Sequence, residues 1–190
     1  YDTTSVKTQV IGLFGDDRDQ KDELVSPAEG FVALRETPFY LEAGGQVSDV
    51  GRIFGPNGEG EGRALMRVPS WPRLHAIRVV TGRLAHRDLV RAEVSSHLRD
   101  ATRRNHTATH LLHAALRSVL GPHVKQAGSL VAPDRLRFDF VHFSAVTRDQ
   151  QLEIERIVNE HVLRNTTVVT EVKGTQEAIA AGAMALFREK

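Results

Sequence analysis

The stretch Asn105-His106-Thr107-Ala108-Thr109-His110 decides how the second half of this chain folds. Two histidines four residues apart lie one turn from each other on an α-helix, so both imidazoles project to the same side. We predict Asn105 as the N-cap of this helix, because its short polar side chain can accept hydrogen bonds from backbone N–H groups. Gly121-Pro122 is predicted to end the helix. Its apolar stripe would consist of Leu111, Leu112, Ala115, Leu116 and Val119.

The polar line of the same helix has two interpretations. His106, His110, His113 and Arg117 fall on one line roughly opposite the leucines. If a second layer covers this line, His106 and His110 form half of a zinc site, because histidine pairs at this spacing are common zinc ligands. The alternative is a solvated helix surface, on which we expect His113 to lie as a surface residue rather than a ligand. A zincin protease is a poor interpretation, since Thr107 stands where its glutamate base would be.

Length and composition exclude several classes of protein. The chain has 190 residues, enough for one large domain or two small ones, and its 26% charged and 41% hydrophobic residues are typical of a globular protein. A net charge of +1 gives no general attraction to nucleic acid, so RNA binding would need local basic patches. No apolar run approaches the roughly 20 residues that span a membrane, and no signal peptide is recognisable. The absence of cysteine excludes disulfides and is compatible with the cytosol, and it limits a zinc site to His, Asp and Glu ligands.

The first 95 residues are predicted to be rich in β-strands. Short apolar runs alternate with turn signals such as Gly55-Pro56-Asn57-Gly58. Several strands at this spacing indicate a small barrel or sandwich. The predicted strands cover residues 10–14, 28–34 with a continuation toward Tyr40, 51–54, 64–68, 74–80 and 89–94.

From residue 96 onward helices and strands are interleaved, which indicates an α+β arrangement of two layers built around the histidine helix. A hairpin is expected over residues 128–131 and 136–140. Thr147 and Gln150 form a capping box for a second helix. The β-branched run Thr166–Val172 is predicted as a strand, and a third helix follows from Thr175. We therefore divide the chain into domains 1–95 and 96–190.

Several further residues are candidates for chemistry, and each has a simpler alternative. In the segment Glu42–Gln46, paired Gly44 and Gly45 would let a ligand approach main-chain N–H groups, and Gln46 offers a neutral amide; the alternative is a surface turn. Gln126 follows the histidine helix closely and could lie near it, or could be a polar loop residue. Thr109 flanks the histidines, and its hydroxyl could instead bond its own backbone. Arg103 and Arg104 could contact phosphates or could simply be solvated.

Taken together, these motifs resemble the editing region of alanyl-tRNA synthetases over about residues 10–187. The freestanding AlaX deacylases and, more distantly, the editing domain of threonyl-tRNA synthetases are related to that region. The matching motifs, in family order and spacing, are Thr-x-Phe-Tyr-x-Glu-x-Gly-Gly-Gln-x-x-Asp from Thr37, Asn-His-x-Ala-Thr-His-Leu-Leu-His from Asn105, Gln-x-Gly-Ser-Leu-Val from Gln126, Leu-Arg-Phe-Asp-Phe from Leu136 and Gly-Ala-Met-Ala-Leu-Phe from Gly182.

The resemblance implies an activity and a role for each candidate residue. The implied reaction is hydrolysis of the ester that joins a wrong amino acid, serine or glycine, to the terminal ribose of tRNA(Ala). His106 and His110 would be two zinc ligands, and Gln126 and Thr109 would line the editing pocket as its catalytic residues. The remaining implied substrate contacts are Gly44, Gly45 and Gln46 as a glycine-rich wall and Thr37 as the sensor of the serine hydroxyl. The implied partners are the acceptor end of mischarged tRNA(Ala), contacted by Arg103 and Arg104, and the rest of a cytoplasmic synthetase in cis, whose ATP use would belong to another domain.

The sequence departs from the family in its zinc motif. The other two family ligands come from a Cys-x-x-x-His motif downstream of the Ala-Leu-Phe segment, and Arg188 stands where the family usually has glycine. We therefore expect a fragment, starting at Tyr1, with an incomplete zinc site and doubtful activity in isolation. The alternatives are a non-catalytic tRNA-binding or interaction module of the same fold, and a trans-acting AlaX-type deacylase.

Overall fold

A computed structural model describes residues 3–69 and 71–182, which form ten strands and three helices. The helices are α1 Ser96–Leu120, α2 Arg148–Arg164 and α3 Thr175–Ala180. The strands are β1 Ser5–Gly15, β2 Gln20–Lys21, β3 Glu23–Val25, β4 Ala28–Leu34, β5 Gly51–Phe54, β6 Gly58–Met66, β7 Leu74–Ala85, β8 Leu89–Val94, β9 Gln126–Val131 and β10 Leu136–Phe140.

Six strands close into an antiparallel barrel. They pair in the order β1, β4, β7, β6, β5 and β8, and β8 pairs back with β1. Closure removes the exposed edges that an open sheet would present, while β2 and β3 add short pairings to β1 and β7. The predicted small barrel is confirmed, with one difference: β4 ends at Leu34 and does not continue to Tyr40.

Phe39 belongs to the barrel core, and two glycines leave room for its ring. A β-carbon on Gly62 would lie 3.2 Å from the Phe39 ring, and one on Gly51 would lie 2.9 Å from it. Gly51 and Gly62 are paired across β5 and β6. The Phe39 ring therefore packs against backbone that carries no side chains. The edge of the His75 ring faces Phe39, with 4.9 Å between ring centroids. The other buried core residues are Val10, Leu13, Leu24, Val32, Leu34, Ile53, Leu65, Ile77, Val79, Leu84, Val90, Ala92 and Val94.

The chain forms two compact units. The first comprises Tyr1–Asn105 and Leu130–Arg135, and the second comprises His106–Ser129 and Leu136–Lys190. The predicted domains 1–95 and 96–190 stay predictions.

Helix α1 begins earlier than its sequence pattern indicates. Asn105 is not an N-cap, because the helix begins at Ser96 and already includes Asn105. The Asn105 amide instead donates a hydrogen bond to the carbonyl of Ala132, at 2.7 Å, within the first unit. The polar residues before Asn105 hid the first turns of the helix, and one of them, Arg99, is buried. The predicted end of the helix at Gly121-Pro122 is confirmed.

In the second unit, α1, α2 and β10 contribute to a small apolar core. The capping box of α2 is confirmed: Gln150 N–H donates to the Thr147 hydroxyl, and Thr147 N–H donates to the Gln150 side chain. Ile154 of α2 is buried with Ala115, Leu116 and Val124. No helix among the described residues is long and apolar enough to cross a membrane.

The predicted strand over residues 166–172 is wrong. The structure assigns no strand or helix there, and the side chains are exposed. β-Branched residues favour a strand only where a partner strand supplies cross-strand contacts, and no described residue pairs with this segment. A third helix does begin at Thr175. Most of the predicted Gly-Ala-Met-Ala-Leu-Phe motif, and Arg188, lie outside the described residues.

Candidate functional site

In the second unit, His106 and His110 lie side by side on α1. Their rings are 5.1 Å apart between centroids and nearly parallel, with an interplanar angle of 22°. His106 is half-buried and His110 is exposed. Burial lowers the pKa of His106 below its usual value, and the neighbouring His110 lowers it further. Both effects favour neutral imidazole, the form that binds a metal.

His113 is a buried residue, which corrects the prediction that it lies on the surface. It is 3% exposed, its ring lies 5.2 Å from that of Phe138, and its Nε2 has no hydrogen-bond partner among the described residues. The predicted polar line is therefore not a single solvated face. Thr109, one turn before His113, is also buried.

Gln126, the other predicted catalytic residue, begins strand β9 and is half-buried. Two residues later, Gly128 leaves room for the Asp139 side chain, because a β-carbon there would lie 2.6 Å from its carboxylate oxygen. The second unit thus contains all four of His106, Thr109, His110 and Gln126.

The first unit contains the turn that is predicted to form a glycine-rich wall. Ala43 and Gln46 bond each other through both backbone N–H groups, and Gly44 and Gly45 form the turn between them with φ of +61° and +84°. Two successive positive φ values define a tight turn that glycine adopts without strain. Val131 N–H then donates to Gly45 O at 2.8 Å, and Val47 N–H donates to Val131 O at 3.0 Å. Gln46 is 1% exposed, so the alternative of a solvated surface turn does not describe it.

A buried ion pair fixes the segment that carries these residues. The Arg99 guanidinium contacts the Asp49 carboxylate through Nε and Nη2, and both side chains are at most 8% exposed. Arg99 also donates to the carbonyls of Pro38, at 2.6 Å, and Thr3, at 3.1 Å. Asp49 accepts the Tyr40 N–H at 2.6 Å. Both ends of the segment from Pro38 to Asp49 are therefore attached to one side chain of α1.

Thr37 lies beside two surface cavities of the first unit, of about 360 and 530 Å³. Its hydroxyl oxygen accepts the Phe39 N–H at 3.1 Å. A hydroxyl that accepts one hydrogen bond keeps its own proton to donate. Thr37 can therefore donate to an oxygen of a bound molecule.

Arg103 and Arg104 are exposed residues within α1 and do not precede the helix. Arg103 lies 3.6 Å from the Asp100 carboxylate. Their assignment to phosphate contacts stays a prediction.

The described side chains supply only some of the ligands that a zinc ion requires. The two imidazoles fit as two ligands, since they are close and nearly parallel and the lowered pKa of His106 favours its neutral form. Over residues 3–69 and 71–182, no group of three or more His, Cys, Asp or Glu side chains is placed to hold a metal ion. Tight zinc sites use three or four protein ligands. The described residues thus supply part of a zinc site, and no reaction step can be assigned to the metal from them.

The sequence pattern gave no role to Arg99, and it did not reveal that His113 is buried. Their spacing offered a signal, because Arg99, Thr102, Thr109, His113 and Leu116 recur at helical intervals and all are buried. Polar residues that share the spacing of an apolar stripe indicate a buried polar face, and counting only leucines concealed it.

The chain is similar to tRNA synthetases, both by family profile and by individual relatives. The profile of the family described as tRNA synthetases class II (A) matches residues 1–98, just over half of the chain. An alanine–tRNA ligase of Solibacter usitatus is 47% identical over 191 residues, covering 100% of this chain and 22% of the relative. Alanine–tRNA ligases of Listeria innocua and Chloroflexus aurantiacus are 45% and 46% identical, again over 100% of this chain and over 22% and 21% of their own lengths. The chain therefore spans about a fifth of the length of these relatives.

Proposed function

The chain belongs to the class II (A) tRNA synthetases, and from that membership we propose that it is the editing region of a cytoplasmic alanine–tRNA ligase. Its substrate is the ester of Ser-tRNA(Ala) or Gly-tRNA(Ala), presented in cis to the rest of the synthetase. The observation that carries the proposal is the pair of parallel imidazoles of His106 and His110, with Thr109 buried on the same turns of α1.

The proposed reaction is a hydrolysis that needs no covalent intermediate. A water oxygen attacks the ester carbonyl carbon, the bond from that carbon to the ribose oxygen breaks, and the ribose oxygen takes a proton. The products are the free amino acid and tRNA(Ala) with its terminal hydroxyl restored. Thr109 and Gln126 line the pocket in this proposal, because a hydroxyl and a neutral amide can bond the carbonyl and amine without ionising.

His106 and His110 would hold zinc as two of its ligands. A bound zinc would supply an electropositive centre beside the ester. His106 contributes through its lowered pKa, which keeps its lone pair available at neutral pH.

Thr37 accounts for selectivity in this proposal. Serine and alanine differ by one hydroxyl, and an activation pocket cannot strongly exclude such a near-isostere. The free Thr37 proton can bond that hydroxyl while its oxygen is held by Phe39 N–H. The turn at Gly44 and Gly45 offers close backbone approach beside the buried Gln46.

The test combines zinc content with ester hydrolysis. Both are measured on the 190-residue chain and on the chain extended by the next ~50 residues of its gene, a length chosen to complete a domain of ordinary size. We expect stoichiometric zinc and hydrolysis of Ser-tRNA(Ala) in the extended form, with both lost in His106→Ala. His97→Ala is the control, because His97 is an exposed histidine of the same helix.

Two outcomes oppose the proposal. An extended form that binds tRNA, but neither binds zinc nor hydrolyses the ester, would identify a non-catalytic binding module. Full activity without any synthetase domain on the same gene product would identify a trans-acting deacylase.

A further inference from the structure

We propose that the outer face of the barrel, across strands β5, β8 and β1, binds the sugar–phosphate backbone of the RNA strand that leads to Thr37. This basic track is defined by Lys7, Arg35, Arg73 and Arg91. Its direction rests on the proposed function, which places the substrate end at Thr37.

Strand register brings the central part of the track together. Phe54 of β5 pairs with Arg91 of β8, and Arg91 pairs in turn with Lys7 of β1. Residues directly opposite each other on neighbouring strands share one face of the sheet. The Arg91 guanidinium lies over the Phe54 ring, 4.6 Å from its centroid. An aromatic ring and two cations therefore form one row on the outside of the barrel.

The next row adds a third cation. Gln9 pairs with Leu89, which is 76% exposed, and the Gln9 side-chain oxygen accepts a hydrogen bond from Arg35 at 2.9 Å. This bond holds the Arg35 guanidinium beside β1 without neutralising it. A cavity of about 580 Å³ lies over both rows, and Lys7, Arg35 and Arg91 line it.

The track is continuous with the surroundings of Thr37. Arg35 and Glu36 line both the 580 Å³ cavity and the 530 Å³ cavity beside Thr37. Arg73 lines the two cavities that border Thr37. The surface therefore runs from Arg73 and Thr37, past Arg35, to Lys7 and Arg91 without leaving the first unit.

Charge separates this face from the rest of the barrel. Lys7 and Arg35 form no ion pair with a described residue, while Arg91 pairs with Glu93 and Glu36 is the one acid lining the 580 Å³ cavity. The track thus carries four cations against two carboxylates. On β6 and β7, by contrast, Arg63 pairs with Glu29 and Arg83 pairs with Glu23, and Arg78 is the one strand arginine there without an ion pair to a described residue.

A polyanion with flat bases fits this surface best. Lysine and arginine contact phosphates without reading sequence, and an aromatic side chain stacks on any base. An acidic peptide would use the cations but has no group that requires the half-buried Phe54 ring and the exposed Leu89. The track is therefore assigned to RNA, and its selectivity among RNA sequences should be low.

The test uses the full 190-residue chain and an acceptor-stem hairpin of tRNA(Ala) with a single-stranded 3′ end and no amino acid. The triple variant Lys7→Gln/Arg35→Gln/Arg91→Gln is compared with Arg63→Gln/Arg78→Gln/Arg83→Gln, which removes the same formal charge from exposed positions on β6 and β7. Loss of three single-strand phosphate contacts should reduce the slope of log K against log salt by about 2. The wild type should then lose about 15-fold more affinity than the track variant between 50 and 200 mM salt, since a fourfold change in salt is raised to that power. The control triple should retain the wild-type slope.

The outcomes separate this proposal from the proposed function. Equal slopes for both triples, no binding at 50 mM salt, or equally tight binding of polyglutamate would each overturn the track, whatever the hydrolytic activity. A reduced slope confined to the track variant supports it, even if no ester is hydrolysed. Loss of hydrolysis in His106→Ala with unchanged hairpin binding would leave the track in place and concern only the editing chemistry.

Discussion

Arg99 shows how one residue can organise a segment of this chain. Its guanidinium is 1% exposed and bonds the Asp49 carboxylate together with the carbonyls of Pro38 and Thr3. A buried ion pair contributes little relative to a well-packed apolar pair, but breaking one half of it leaves an uncompensated charge. Replacing Arg99 alone should therefore lower the stability of the fold, because the Asp49 charge stays buried.

We expect Arg99→Met to lower the free energy of unfolding by about 3–5 kcal/mol, because Asp49 is then buried without a counterion. Urea denaturation measures the change. Arg63→Met, which breaks only exposed pairs with Glu29 and Glu61, should change it by less than about 1 kcal/mol. Similar values for the two variants would show that Asp49 does not depend on Arg99.

His75 makes the barrel sensitive to acid. The ring is 1% exposed, neither nitrogen has a hydrogen-bond partner among the described residues, and burial lowers the pKa of His75 to about 4. The unfolded chain therefore binds a proton below about pH 6.5 that the folded chain does not bind until about pH 4. Stability is complete above pH 6.5 and falls as the pH is lowered through this window.

We expect His75 alone to lower the free energy of unfolding by about 3 kcal/mol between pH 6.5 and pH 4, from 1.36 kcal/mol for each pH unit. Thermal and urea unfolding of His75→Leu over this range should show a correspondingly flatter pH dependence, with no loss of stability at pH 7. His97→Gln, a change at an exposed helix position, should leave the dependence as in the wild type. If His75→Leu had the same pH dependence of stability as the wild type, His75 would not be the source of the acid sensitivity.

At the scale of secondary-structure elements, glycines decide where strands approach each other. A β-carbon on Gly51 would lie 2.0 Å from the carbonyl oxygen of Glu93, which belongs to the neighbouring strand β8. Gly44 has open space but a φ of +61°, and Gly174 has open space and a φ of −61°. Glycine is therefore required for space at Gly51, for its backbone conformation at Gly44, and for neither reason at Gly174.

Substitution by alanine should lower the free energy of unfolding most at Gly51, less at Gly44 and least at Gly174. Gly51→Ala should be the most destabilising, at more than about 2 kcal/mol, because backbone must move. Gly44→Ala should cost about 1 kcal/mol for the left-handed conformation, and Gly174→Ala about 0.5 kcal/mol, the difference between glycine and alanine at an N-cap. Denaturant midpoints of the three variants provide the comparison, and a Gly51→Ala variant as stable as Gly174→Ala would contradict the close packing of β5 on β8.

Sequence patterns located elements well where local rules dominate. The turn at Gly55-Pro56-Asn57-Gly58, the capping box at Thr147 and the end of α1 at Gly121 depend on neighbouring residues, so they could be predicted. Asn105 was misassigned because the same side chain that caps a helix can bond a distant carbonyl, here that of Ala132. The burial of Arg99 and His113 depends on partners far along the chain, and spacing alone does not reveal which polar residues acquire them.

At the scale of the whole molecule, the candidate residues are divided between two compact units. Thr37, Gly44, Gly45 and Gln46 belong to the first, and His106, Thr109, His110 and Gln126 belong to the second. Each group has its own test: serine selectivity for Thr37, and zinc content for the histidines. The proposed editing function requires both groups, since hydrolysis without selectivity would also remove correctly attached alanine.

The most direct measurement is the ratio of hydrolysis rates for Ser-tRNA(Ala) and Ala-tRNA(Ala), in the gene product that contains this chain and in its Thr37→Val variant. Valine keeps the shape of threonine but cannot donate a hydrogen bond to the serine hydroxyl. We expect the wild type to prefer the serine ester, and Thr37→Val to lose about tenfold or more of that preference, the worth of one hydrogen bond of about 1.4 kcal/mol. A wild type that hydrolyses neither ester, or that hydrolyses both at the same rate, would contradict the editing function.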